Sequence, residues 1–333
     1  MGSTKFGTNS ILSKYFGTKE VLKEVCDGFT IYQKVVPPSV LGYITFSSSS
    51  SFTLSVINNT KYWDGILEYS TDTLVWSIWS GTSSISAALN NNQYKLYIRG
   101  TGNTYITGTS ATTSAAYWSI TGSDVSVSGN IETLLDYQTV LAGNHPTMAS
   151  YCYRYLFYND TGITSAANLV FGAATLTQYC YANMFYGCSN LASVPTSLSF
   201  TTADEYSCYT MFRGCSALTY APSLPATTLA SNCYAGMFQG CTNLVTVPNL
   251  PATTLVYQCY AYMFASCSML YVRTGSPSSP ADKPWTIPSA GNIVSSPASF
   301  NRMFYQCITS LTQGTWEPVV GTQTTFYTQN DPV

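Results

Sequence analysis

Charge is what this chain has least of. Only 8% of its 333 residues are Asp, Glu, Lys or Arg, against about 25% in an ordinary globular protein. Solubility must therefore rest on Ser, Thr, Asn, Gln and Tyr. The formal net charge is −2 and no basic run occurs. Phosphate neutralisation needs clustered Lys or Arg, so nucleic acid is not expected as a partner. No stretch of about 18 apolar residues appears, so no membrane insertion is expected. The opening "MGSTKFGTNS" leads into no apolar segment of the signal-peptide kind, so folding in a cytoplasm is expected. The final "TQNDPV" has no anchoring or sorting motif.

Signatures of chemistry are missing too. No G-x-x-x-x-G-K-[ST], G-x-G-x-x-G or G-x-S-x-G occurs. The single histidine, His145, precedes Pro146 and reads as a turn residue rather than part of a triad. Asp204 and Glu205 are adjacent, so their side chains diverge, whereas a glycosidase pair must face each other across a sugar. Asp160 and Asp282 are scattered. With no C-x-x-C and one histidine there is no ligand set for a metal. The expectation is a non-enzyme without cofactor or metal.

Hydrophobic residues make up 45% of the chain, and tyrosine is abundant at 27 copies. The length allows several domains. Residues 1–36 carry a small repeat, "FGTNSILSKY" then "FGTKEVLKEV", in which Ile11, Val21 and Val25 suggest short strands joined by turns. "VVPPS" (35–39) reads as a linker. Residues 40–128 alternate in the manner of short strands. In "SFTLSVI" Phe52, Leu54 and Val56 oppose Thr53 and Ser55; in "NQYKLYIRG" Tyr94, Leu96 and Ile98 oppose Lys95, Tyr97 and Arg99. "ILEYSTDTLVWSIW" reads as two strands around a turn, and "AYWSITG" and "DVSVSG" complete the set. Such spacing favours an Ig-like β-sandwich. Trp63, Trp76, Trp79 and Trp118 are expected in its core, with an aromatic carbohydrate platform as the alternative. "GNIETLLDY" (129–137) reads as a helical turn or two capped by Asn130, with Leu134 and Leu135 inward. It stands within a segment, 129–150, where a stacked array needs its N-terminal cap.

From 151 a repeat takes over. Met184, Met211, Met237 and Met263, each followed by Phe, stand 27, 26 and 26 residues apart. Leu156–Phe157 is a degenerate first copy. Met303–Phe304 is the last, 40 residues after Met263. The excess over one period marks an inserted loop, 273–297, rich in Ser, Pro and Gly, expected to project outward. A period in the twenties with a Leu-rich half implies a stacked solenoid. In "CYAGMFQGC", Cys233, Met237 and Cys241 fall at i, i+4 and i+8, one apolar stripe on a short helix relaxed at Gly240. "TNLVTVPNLPATTL" then runs extended, with Leu244, Val247, Leu250 and Leu255 inward. Residues 311–333 form a C-terminal cap or tail.

Of the 11 cysteines, ten lie in two columns and Cys26 stands apart. The first column is Cys152, Cys180, Cys208, Cys233 and Cys259; the second is Cys188, Cys215, Cys241, Cys267 and Cys307. Cysteines eight apart on a helix are separated by roughly 12 Å, beyond the reach of a disulfide within one repeat. Stacked copies could cross-link. A column of small, apolar, buried free thiols explains the pattern more simply, and a metal least simply.

"MFxGCxxL" at a 26-residue period with a Pro-rich strand resembles the BspA-type leucine-rich repeats of 26-residue-repeat surface proteins. The likeness covers roughly 150–310. The first copy departs with Asp160 at the second Cys position, and the last with Ser299 at the first. "LPATTL" beside a sandwich is similar to repeat proteins of gut bacteriophages, and the N-terminal "FGT…V…K" strands to leader segments of phage tail and virion proteins. The resemblance implies a multidomain, mainly β, fibre-like virion structural and receptor-binding protein. Residues 1–36 would dock to other virion proteins, the sandwich would be a spacer, and the solenoid would meet a host-surface glycan or protein. A homo-oligomer in the virion is implied. A bacterial cell-surface adhesin is the alternative, and a polysaccharide depolymerase the lesser one.

The candidate binding surface follows from variation over a constant core. The residue two before the second Cys changes from Tyr186 to Arg213, Gln239, Ala265 and Tyr305. Positions after the Leu vary as Ser193, Tyr220 and Thr246. The inserted loop adds Arg273, Lys283 and Trp285. The plain alternatives are that these positions are merely solvated and that Trp285 folds back over the end of the core.

Overall fold

The computed structural model describes residues 41–57, 63–108, 116–273, 283–288, 299–309 and 324–328, with the backbone of six short strands between 5 and 33. The linker 35–39, and most of 273–297 and of 311–333, lie outside the described residues. The chain is mainly β, with one helix among the described residues. The leader pairs its strands as three antiparallel hairpins: β1 (Lys5–Phe6) with β2 (Asn9–Ser10), β3 (Tyr15–Phe16) with β4 (Glu20–Val21), and β5 (Lys23–Cys26) with β6 (Phe29–Gln33).

The next region builds two sheets. Its strands are β7 (Ile44–Ser48), β8 (Thr53–Ile57), β9 (Ile66–Ser70), β10 (Ser77–Ile78), β11 (Ile85–Ser86), β12 (Ala88–Asn90), β13 (Gln93–Thr101), β14 (Tyr117–Thr121) and β15 (Val125–Asn130). Helix α1 (Thr133–Leu141) and strand β16 (Ile163–Val170) follow. One sheet has the order β10-β9-β13-β7-β15-β16, with β12 also on β13; the other is β11-β8-β14. Alternation decides which faces are buried: Phe52, Leu54 and Val56 go inward, as do Ile44 and Phe46. Rings from both sheets meet in the middle. Trp118 of β14 lies 6.4 Å from Phe46 of β7 and 5.3 Å from Trp79, which lies 5.7 Å from Trp63.

Two side chains here depart from the alternation. Trp76 is half-exposed on the outer face, not in the core. It stacks under Arg99, whose guanidinium sits 4.0 Å from the ring. Tyr97, expected outward, is buried against Tyr43 at 5.2 Å. In α1, Leu134 and Leu135 are buried as the sequence suggests. Asn130 does accept a hydrogen bond at the helix start, from the Glu132 backbone N–H at 3.0 Å. The helix then breaks at Asp136 (φ −152°, ψ 102°), whose carboxylate re-caps the chain by accepting from the Thr139 N–H at 2.8 Å.

The repeats join the first sheet directly. Strand β16 pairs in parallel with β15, and parallel bridges continue copy to copy at Ser165–Ser193 and Ser197–Ser223. Strand β17 (Thr202–Ala203) likewise pairs in parallel with β18 (Thr228–Leu229).

The cysteine-bearing half of each copy is not a helix. Every fourth residue has positive φ: Asn232 (58°), Gly236 (62°) and Gly240 (75°) in one copy, and Tyr179 (57°), Asn183 (58°) and Gly187 (73°) in another. An α-helix admits no such residue in its interior. The backbone instead forms a run of tight turns with a four-residue period. Its N–H groups alternate. Those of Cys233, Ala235, Met237 and Gln239 donate within the copy, three residues back. Those of Asn232, Tyr234, Gly236, Phe238 and Gly240 donate to carbonyls of the next copy. A helix would spend every donor on itself; this conformation sends half of them across the stack, so each copy needs its neighbour. Because both conformations bring i, i+4 and i+8 to one side, Cys233, Met237 and Cys241 are buried together all the same.

Like side chains therefore sit above like. Phe157, Phe185, Phe212, Phe238, Phe264 and Phe304 form a ladder with ring separations of 5.3 to 5.9 Å. The ten described cysteines are free. In the second column each thiol donates to the Phe carbonyl of an earlier copy, for example Cys241 Sγ to Phe212 O at 3.1 Å and Cys267 Sγ to Phe238 O at 3.0 Å. The first column needs correction at one place. The register puts Ser207, not Cys208, level with Cys180 and Cys233, since Tyr181 N–H donates to Ser207 O where Tyr234 N–H donates to Cys259 O. Cys208 takes the tyrosine position instead, and Phe200 fills beside it, 6.2 Å from Tyr234.

Both ends of the stack are covered. At the first copy, Trp118 N–H donates to Leu156 O and Ile106 N–H to Cys152 O, and Phe46 and Trp118 pack on Phe157. The two-sheet region thus does the capping expected of 129–150 alone. At the far end, β19 (Tyr271–Arg273), β20 (Lys283–Ile287), β21 (Ile308–Thr309) and β22 (Thr324–Thr328) form a sheet of order β20-β22-β19-β21. The described part of the insertion is therefore not an outward loop: five of its residues pair as a strand with β22, on the side of β19 away from β21 of the last copy.

Candidate functional site

The sequence-derived candidates fall in three places. Trp285 is buried, with its indole N–H donating to Pro248 O at 3.0 Å and its ring packed on Phe264, Phe304 and Phe326. It is a lid on the core and offers no contact to a ligand. Arg273 and Lys283 occupy strand positions in the same end sheet; their side chains lie outside the described residues. Tyr220 is exposed on the extended half.

The remaining four, Tyr186, Arg213, Gln239 and Tyr305, lie in one column with Tyr158 and Ala265. Each residue of that column precedes a positive-φ position, Asn159, Gly187, Gly214, Gly240, Ser266 or Gln306; Ala265 is buried, and the others are partly exposed. Tyr158 and Tyr186 stack at 5.1 Å. The Arg213 guanidinium lies over Tyr186 at 5.4 Å. Tyr305 carries Arg302 at 5.7 Å. Tyr186, Arg213, Gln239 and Tyr305 are all half-buried, so each shows solvent an edge rather than a whole side chain.

Reading the sequence by copies missed the rest of this face. Arg154 lies over Tyr155 at 4.6 Å, with Tyr151 at 5.5 Å and Tyr179 at 5.4 Å from the guanidinium. Its Nη2 donates to the Tyr155 hydroxyl at 3.1 Å. Tyr155 meets Tyr158 edge-on at 5.1 Å, and Tyr117 of β14 meets Tyr158 at 5.8 Å. A second row, Tyr151, Tyr179 and Tyr206, stacks at 4.7 and 4.6 Å. Burial, then the neighbouring Tyr206 and Tyr151 hydroxyls, pushes the Tyr179 hydroxyl up to about 12, so it stays neutral. The available signal was the crowding of Tyr151, Tyr153, Tyr155 and Tyr158 in the first copy, whose second cysteine position is Asp160.

Two carboxylates have structural duties. Asp160, at the second-cysteine position of the first copy, accepts from the backbone N–H groups of Ile120, Gly162 and Ile163 at 2.6 to 3.1 Å. It ties β14 to the first copy. Burial pushes its carboxyl up. Glu132 is also buried, and its oxygens lie 3.0 and 3.1 Å from His145 Nδ1. His145 is thus the partner of a buried acid rather than only a turn residue. Among the described residues no three of His, Cys, Asp and Glu gather as a metal site would require, and no helix is long and apolar enough to cross a membrane. No family model, curated protein or solved structure matches the chain.

Proposed function

We propose that this chain is a non-enzymatic, fibre-like virion protein that recognises a host surface. In this reading residues 40–128 are an Ig-like β-sandwich spacer and residues 151–310 a leucine-rich-repeat solenoid of the BspA kind. Residues 1–36 dock to other virion proteins. The observation that carries the recognition role is the column Tyr158, Tyr186, Arg213, Gln239, Ala265 and Tyr305. Its residue is Tyr in the first two copies and then Arg, Gln, a buried Ala and Tyr, while the Phe ladder beneath it does not change. A rigid stack with a variable outer row is how repeat proteins build extended binding surfaces. The virion setting rests on the resemblance of the leader and of "LPATTL" alone.

The test has two parts. Particles purified by density from the source culture are expected to contain the chain by mass spectrometry; recovery from the cell envelope instead would make it an adhesin. Full-length protein is expected to bind host cells, and Gln239→Ser with Tyr305→Ser is expected to lower that binding several-fold at unchanged melting temperature. Unchanged cell binding would remove the column from the recognition surface.

A further inference from the structure

The arginine side chains among the described residues all lie over aromatic rings but differ in whether a carboxylate answers them. In the two-sheet region Arg99 Nε donates to Glu68 Oε2 at 2.8 Å. In the repeats, Arg154, Arg213 and Arg302 each lie over tyrosine rings, and among the described residues no carboxylate pairs with any of them. Arg154 is the extreme case: its Nε and Nη1 are shut from solvent by the surrounding rings and have no hydrogen-bond partner. A cation desolvated without a counter-charge is costly. In a chain with only 13 basic residues, keeping one there raises the positive potential of the surface around it.

The contacts form one continuous strip. Arg154 rests on Tyr155, Tyr155 touches Tyr158, Tyr158 stacks on Tyr186, and Arg213 covers Tyr186. Arg154 is in the first copy and Arg213 in the third. At the usual spacing of paired strands, they stand about 10 Å apart along the stack. One carboxylate cannot bridge that distance, so a ligand that answers both must carry repeated charge. The nearest acids bound the strip rather than neutralise it: Glu205 is engaged by Gln178 at 2.9 Å beside the second tyrosine row, Asp204 is exposed next to it, and Asp160 is buried and bonded to backbone.

We propose that the strip from Arg154 through Tyr158 and Tyr186 to Arg213 binds a carboxylate-bearing polysaccharide. The proposal rests on the recognition role above and names its ligand class. Arg213 makes the direct contact, Arg154 supplies fixed positive potential from below, and the tyrosine hydroxyls meet sugar hydroxyls. A single-stranded nucleic acid is the rival polyanion. It is disfavoured because its bases need free aromatic faces, whereas Tyr158 and Tyr186 spend their faces on each other and on arginine. Tight phosphate binding also needs more cations than this strip holds.

The experiment measures full-length protein by biolayer interferometry on immobilised polygalacturonate, hyaluronate and polysialate. Dextran serves as the neutral control and an oligo-dT strand as the rival. The expected result is binding to at least one of the three acidic polymers, weakened by salt, with none to dextran. Arg213→Gln should lower that affinity about tenfold at unchanged melting temperature, and Arg213→Lys should fall between. Arg154→Gln, checked by melting, should also weaken binding. Failure of all three polymers, Arg213→Gln binding like the parent, or equal arginine-dependent capture by oligo-dT would each overturn the proposal. The recognition role fails separately: if Arg213→Gln still binds host cells while the Gln239/Tyr305 variant does not, the face stands and the acidic ligand falls. If the parent binds acidic polymer but no cells, the ligand class stands and the host role falls.

Discussion

The two-sheet region and the repeats bury aromatic rings in opposite styles. In the first, Trp79 meets Trp118 at 66° and Tyr43 meets Tyr97 at 76°. In the second, the Phe ladder keeps its rings within 5° to 27° of parallel. Edge-to-face and offset-stacked pairs are both favourable, so ring energetics does not choose between them. Symmetry does. Strands that reverse direction bring unlike residues together, and a mixed core fills by shape. Copies related by translation bring each residue onto its own equivalent, and stacking follows. In the first region a substitution disturbs a neighbourhood. In the second it disturbs a column.

The sharpest break in that comparison is a charge in the column. Met237→Asp places a carboxylate among Cys233, Phe238 and Cys241, all buried. An unpaired buried charge costs several kcal/mol, about 3–5 when no partner is near. Loss of the cooperative melting transition of the repeats is expected by circular dichroism. Gln239→Asp, two residues on and half-buried on the outer column, should shift stability by less than about 0.5 kcal/mol. Equal shifts for the two would mean that the four-residue turn has been assigned the wrong inner face.

Next in size is the joint between the regions. Trp118 packs on Trp79 and Phe46 of its own region and on Phe157 of the first copy, and its N–H donates to Leu156 O. Trp118→Ala should cost about 3–5 kcal/mol. The continuous sheet through β15 and β16 predicts one shared transition in the parent and lowered stability of both regions in the variant. A variant that loses only the tryptophan-rich core, with repeats melting at the parent temperature, would show that the two regions fold independently.

Much of this was legible in the sequence, and the failures have physical causes. The Met–Phe spacing located every copy, because burial leaves little choice of residue at Met184, Met211, Met237 and Met263. The helix was misread because apolar residues at i, i+4 and i+8 fit a 3.6-residue helix and a four-residue turn alike. What separates them is the left-handed position, and Gly236 and Gly240 marked it in one copy while Tyr206 and Thr210 hid it in another. Trp285 reads as a binding residue because Trp is enriched at binding hot spots and its Ser- and Pro-rich setting reads as a loop; only pairing of β20 with β22 brings it onto Phe304. The outer column is readable as variation, but the contacts of Arg213 with Tyr186 and of Arg154 with Tyr179 run between copies and have no trace in any one of them.

Alkaline pH should act through the repeats and leave the two-sheet region without a thiol contribution of its own. Burial pushes the Cys180 and Cys241 thiols up to about 12, from 9.0 when free. A folded pKa raised above the unfolded one contributes stability that is whole below pH 9 and lost as pH rises toward 12. Each such thiol should cost about 1.4 kcal/mol per pH unit across that window. All ten described cysteines lie in the repeats, so the alkaline loss of stability originates there and lowers the shared transition. Melting curves from pH 7 to 11, with the accessible thiols counted by alkylation at each step, would show it. Thiols that alkylate fully at pH 7 without denaturant would contradict the burial of both columns.

The smallest expected effect tests the register of a single column. Ser207 stands where Cys180 and Cys233 stand in neighbouring copies. Its hydroxyl is buried without a hydrogen-bond partner, and the same holds for Ser299 in the last copy. A thiol is nearly the same size and loses less on leaving water. Ser207→Cys should therefore stabilise the chain by about 1 kcal/mol, while Cys233→Ser, the reverse change one copy along, should destabilise it by a similar amount. The alternative register, with Cys208 in the column, makes the opposite forecast: Ser207 would then be an outer residue and its replacement silent. Cys208→Tyr measures how tightly that site is filled. At the tyrosine position the added ring collides with Phe200, which packs there against Tyr234, and overpacking of this kind costs about 1–3 kcal/mol. Chemical-denaturation midpoints of the three single variants are enough to decide. A gain for Ser207→Cys would fix the column as drawn, and a silent Ser207→Cys would shift it by one residue.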